Sequence, residues 1–105
     1  MISFFRTINF GEGNVTHVEE DLRPDVSLAD QLKLLREDLL QVQYGKASLV
    51  LDVGWYPSFA PDGSFSVLVV RDLNWDEPIY QSYSNSLEDL EKAIQHALSI
   101  IRAFP

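Results

Sequence analysis

Two hydrophobic periods alternate along this chain, and the places where one gives way to the other mark its elements. Ile2, Phe4, Ile8 and Phe10 share one parity, with Arg6 the exception, which predicts a half-buried strand over residues 2–10. Gly11-Glu12-Gly13-Asn14 can take the positive φ of a short hairpin, so Val15 to Glu19 reads as a returning strand. Residues 20–26 mix charge with Pro24 and read as a loop. Ser27 then offers an N-cap, Asp30 a carboxylate for the first turn, and Leu28, Leu32, Leu35, Leu39 and Val42 recur at helical spacing. This predicts an amphipathic helix closed by Gly45.

From Ala47 to Tyr56 the period returns to two, with Leu49, Leu51, Val53 and Trp55 on one face, as a central strand requires. Pro57 ends it, Pro61-Asp62-Gly63 supplies a turn, and Ser64 to Arg71 alternates again, with Phe65, Val67 and Val69 on one parity. These two runs predict the strongest hairpin in the chain. Asp72 to Glu77 is a polar connection around Trp75, Pro78 suits the start of a strand, and Ile79 to Tyr83 extends the meander. Ser86 with Asp89 forms a second cap, and Leu87, Leu90, Ile94, Ala97 and Ile101 form a second helical stripe.

The expected fold is α+β, a single domain over residues 1–105 in the order ββαβββα. A two-layer sandwich buries both stripes most simply: about five antiparallel strands, with two amphipathic helices on one face. The other face carries Tyr56, Tyr80 and polar positions. Both helices open with Ser-Leu-x-Asp, which either an internal duplication or shared capping chemistry produces.

Composition narrows the chemistry. Eight Lys and Arg face sixteen Asp and Glu, a formal charge of −8, which opposes direct binding to nucleic acid or an anionic membrane and favours a basic partner. The absence of cysteine removes thiol nucleophiles, disulfides and Cys-ligated metals. With no membrane-length apolar run and no leader-like N-terminus, the expected location is the cytoplasm. His17 stands near Glu19, Glu20 and Asp21, yet a strand points Glu20 away from the others, so this is read as a solvated charge run and not a metal site. His96 reads as a surface or boundary residue of the second helix. The carboxylate pairs Glu37-Asp38, Asp76-Glu77 and Glu88-Asp89 are adjacent and diverge, and neither a nucleophile elbow nor a phosphate loop is present. The expectation is therefore a protein without catalytic residues, metal or cofactor.

Acid and aromatic residues coincide instead. Between Arg71 and Lys92 lie six acids and no cation, and Trp75 and Tyr80 are set among them. Trp and Tyr are common interface anchors, while Trp55 shares the parity of Leu51 and Val53 and can equally be core. Charge and expected exposure select Asp72, Trp75, Asp76, Glu77 and Tyr80 as the candidate partner-binding residues.

The runs Leu51-Asp52-Val53-Gly54-Trp55-Tyr56-Pro57, Pro61-Asp62-Gly63-Ser64-Phe65 and Arg71-Asp72-Leu73-Asn74-Trp75-Asp76-Glu77-Pro78, ending in Ser-Leu-Glu-Asp-Leu-Glu, cover about the second half of the chain. In them the chain resembles small immunity proteins of bacterial polymorphic toxin and contact-dependent growth inhibition systems. The resemblance implies a cytosolic antitoxin that occludes the active site of one cognate toxin domain. A basic nuclease is the expected toxin, an RNase ahead of a DNase. The alternative is an adaptor or structural domain that forms a homodimer through its open sheet face.

Overall fold

Alternating residues build the sheet on which everything else rests. The computed structural model describes residues 2–105. Its strands are β1 (Asn14–Val18), β2 (Leu40–Tyr44), β3 (Leu49–Tyr56), β4 (Ser64–Arg71) and β5 (Tyr80–Ser84), followed by one α-helix, α1 (Leu87–Ala103). Every neighbouring pair is antiparallel and the spatial order is β1-β2-β3-β4-β5, an uninterrupted meander. The protein is thus α+β with a five-stranded antiparallel sheet.

One face of the sheet is apolar because the register aligns like with like. Val42, Leu51 and Val69 stand in one row and Leu40, Val53 and Val67 in the next, all fully buried or nearly so. Against them α1 sets Leu90, Ala93, Ile94, Ala97, Leu98 and Ile101. Fully burying each of its large aliphatic side chains contributes roughly 1.5–3 kcal/mol, well beyond what helix propensity alone supplies. Trp55 is core: its ring meets Phe65 edge-on at 4.8 Å, and its indole N–H donates to the Ala60 carbonyl at 2.9 Å. A Cβ on Gly63 would stand 2.5 Å from that indole nitrogen, so the turn approaches only because residue 63 is glycine.

The N-terminal strand expected over residues 2–10 does not form. Phe5–Thr7 is a short 3-10 turn, with Thr7 N–H donating to the Phe4 carbonyl at 3.2 Å. The reason lies in adjacent phenylalanines: Phe4 and Phe5 are both buried, packed edge to face at 5.1 Å, and a strand would send one of them to solvent. The segment is fastened by Phe4 N–H donating to the Leu22 carbonyl at 2.7 Å.

The first expected helix is overturned as well, and with it the order ββαβββα and the pair of helices on one face. Ser27 caps as expected, accepting from Asp30 N–H at 3.3 Å, but Leu28–Leu34 is 3-10 and bent at Gln31, and residues 40–44 are β2. Gln31 is buried, and its side chain is used elsewhere. Its amide nitrogen donates to the Arg23 and Val26 carbonyls at 2.8 and 2.9 Å, and its oxygen accepts from Arg23 N–H at 3.0 Å. Past it, Leu40-Gln41-Val42-Gln43-Tyr44 alternates, and the gap between β1 and β3 takes it as a strand.

Candidate interaction surface

The connection between β4 and β5 projects the acids singled out in the sequence. Asp72 and Leu73 lie consecutively in the left-handed region, with φ of 55° and 58°, and reverse the chain just beyond β4. The loop then braces itself. Asp72 N–H donates to the Ser48 carbonyl at 3.0 Å, tying it to the β2–β3 turn, and Asn74 and Glu77 N–H donate to the Arg71 and Asn74 carbonyls at 3.0 and 3.3 Å. Ile79 N–H closes the loop onto the Val69 carbonyl at 2.8 Å. The base is set by Arg71, whose guanidinium lies 5.4 Å from the centre of the Phe104 ring.

Asp72, Asp76 and Glu77 are all exposed here, and with them Leu73, Trp75 and Ile79 at 64, 44 and 39% of their full accessible surface. Exposed apolar residues interspersed with carboxylates on one loop have the composition of a protein interface, in which apolar anchors are set among charges. Four of the five sequence-selected residues, Asp72, Trp75, Asp76 and Glu77, are therefore brought together on one loop.

Tyr80 is not among them. It pairs with Val69, lies on the helix-covered side of the sheet and sets its ring 5.1 Å from that of His96, so the expectation that it faces outward is corrected. Ile79 N–H and Tyr80 both address Val69, an irregularity that reverses the parity expected for β5. Sequence reasoning missed Leu73 and Ile79, although large apolar residues inside so short an acidic connection were a signal that they stand in solvent.

The sheet face that α1 leaves uncovered mixes Val50, Leu68 and Val70 with the polar Gln41, Asp52 and Ser66, and carries Tyr56 and Tyr83, both exposed. A cleft of about 250 Å³ lies there between His17, Asp38, Leu40, Gln41 and Asp52. Gln41 stands opposite Asp52, and His17 Nε2 is 2.9 Å from the Asp38 carbonyl oxygen. Burial pushes the Asp52 carboxyl above its ordinary range; the Gln41 hydrogen bond and His17 oppose this, and the Asp38 charge adds to it. Glu20, from the charge run beside His17, is bound by Arg6 instead. Among the described residues no group of three or more His, Asp or Glu is placed to hold a metal ion.

A larger cleft of about 470 Å³ opens between the Phe10–Glu12 turn, Tyr44 and the end of α1 at Leu98, Ile101 and Arg102. Tyr44 is engaged there, its hydroxyl donating to the Phe10 carbonyl at 2.8 Å, and burial raises its phenol pKa. Among the described residues no helix is long and apolar enough to cross a membrane. No family model, curated protein or solved structure matches this chain.

Proposed function

We propose that this protein is an immunity-type inhibitor, a non-enzymatic cytoplasmic domain that neutralises a basic toxin domain by covering its active site. The observation that carries the reading is the braced β4–β5 loop, on which Leu73, Trp75 and Ile79 stand exposed among Asp72, Asp76 and Glu77. The sequence resemblance in the second half of the chain points the same way. Inhibition by occlusion needs no catalytic group. It needs a surface that arrives fast, fits and stays. A net charge of −8 steers the chain toward a cationic cleft, carboxylates take the places of substrate phosphates, and the apolar trio supplies short-range adhesion. A loop held by its own backbone hydrogen bonds loses little freedom on docking, which favours affinity.

The test is co-expression with any toxin domain whose gene adjoins that of this chain, read as growth. Growth is restored by the unaltered protein. Asp76→Lys slows association and flattens its dependence on salt, and Trp75→Ala raises the dissociation rate, costing about 2 kcal/mol of affinity. The reading is lost if growth does not recover and the purified protein binds no basic toxin domain. A second reading, a homodimeric adaptor, is favoured by exposed Tyr56 and Tyr83 on the uncovered face. It predicts self-association at micromolar concentration that Tyr83→Ser abolishes.

A further inference from the structure

The two edges of the sheet are built differently. β1 carries a bulge between Val15 and His17 and runs on into Glu19, Glu20 and Asp21, devices that discourage another strand from pairing. β5 has none of them between Tyr80 and Ser84, the irregularity at which Ile79 N–H and Tyr80 both address Val69 falling at its entry. Tyr80-Gln81-Ser82-Tyr83-Ser84 holds one unbroken register with β4, contains no charge, proline or glycine, and is the last strand in the sheet. Its outer side offers a row of backbone donors and acceptors about 17 Å long. Acids stand at both ends: Asp76 and Glu77 in the loop before it, Glu88 and Asp89 in the first turn of α1 after it.

We infer that the outer edge of β5 receives an extended segment of the protein partner as a sixth strand, a segment uncharged in its middle and carrying Lys or Arg at both ends. Main-chain hydrogen bonds supply the adhesion, and the flanking acids set the register. The inference rests on the proposed function for the partner's basic character, and it names the element by which that partner is held. A second copy of this chain is a poor occupant. Antiparallel pairing centred on Ser82 would bring the acids that flank β5 in one copy toward those of the other, between molecules that each carry −8.

The experiment follows amide hydrogen exchange in the full chain with a synthetic peptide of alternating threonine and valine bracketed by lysine pairs. Protection is expected over residues 80–84, and none from the same peptide N-methylated at alternate amides or bracketed by glutamates. The paired reversal Asp76→Lys with Glu88→Lys, both at exposed positions that leave the core intact, weakens binding roughly tenfold. Binding without protection of residues 80–84, or no binding of the lysine peptide at millimolar concentration, overturns the inference. So does protection of β5 that rises with protein concentration in the absence of peptide, alongside a dimer in sedimentation. A complex with a neutralised toxin in which residues 80–84 still exchange freely refutes the added strand alone and leaves the inhibitor standing. Peptide docking at β5 without toxin neutralisation refutes the inhibitor and supports the edge.

Discussion

Ser27-Leu28-Ala29-Asp30 and Ser86-Leu87-Glu88-Asp89 start in the same way and end differently. Both serines sit in extended backbone and accept from the amide three residues on, at 3.3 and 3.1 Å. The second continues for the seventeen residues of α1; the first stops after seven residues of 3-10 helix. A cap opens a helix but does not extend it. What extends α1 is an unbroken stripe that fits the sheet, whereas the first segment meets Gln31, committed to the loop at Arg23 and Val26, and then a strand-forming run with a vacant place between β1 and β3.

The largest effect should fall on the stripe. Ile94→Ala is expected to lower unfolding free energy by about 3–4 kcal/mol in urea titration, while Leu28→Ala, at a half-buried position, costs about 1. Equal costs would mean that the first segment packs as a second α1. Next comes Gln31→Ala, which strands three backbone groups and is expected to cost about 2 kcal/mol, with faster proteolysis around residues 23–26. Should it instead stabilise and raise helicity in circular dichroism, the side chain was holding back a helix and not anchoring a loop.

Smaller and more pointed is the pair of cap deletions. Ser86→Ala should cost about 1 kcal/mol and Ser27→Ala about half that, since less helix depends on the first cap. Parity between them would mean that both caps support equal lengths of helix. The smallest shift concerns Asp52, whose surroundings exist only because Leu40–Tyr44 is a strand that sets Gln41 opposite it. Its carboxyl is pushed up in the folded protein, so ionisation opposes folding above the folded pKa, fades as pH falls through it, and costs nothing below the unfolded value. Asp52→Asn is therefore expected to stabilise by roughly 0.5 kcal/mol at neutral pH, the gain disappearing in acid. A helix over residues 38–42 would remove that pH dependence.

The β3–β4 hairpin and α1 were legible because each is settled by local pattern, alternation in one and a four-residue stripe in the other. The first forty-five residues are settled by tertiary fit. Leu35, Leu39 and Val42 are all fully buried, so the apolar positions were read correctly and only the period was mistaken. The alternation Leu40 to Tyr44 was visible, yet it shared Val42 with the helical spacing. Nothing in the sequence announced that a glutamine would carry the backbone of a distant loop, or that Phe4 and Phe5 would both turn inward. At the candidate surface, clustered acids and Trp75 marked the loop. The facing of Tyr80 depended on one residue of register, which composition does not specify.

The position of α1 in the chain has a consequence during synthesis. All five strands leave the ribosome before the helix that covers them. Until residues 87–103 have also emerged and folded onto it, a nascent sheet leaves Leu51, Val53, Phe65, Val67 and Val69 exposed to water. Slow synthesis through α1 should therefore lengthen the interval in which the uncovered sheet is prone to aggregate.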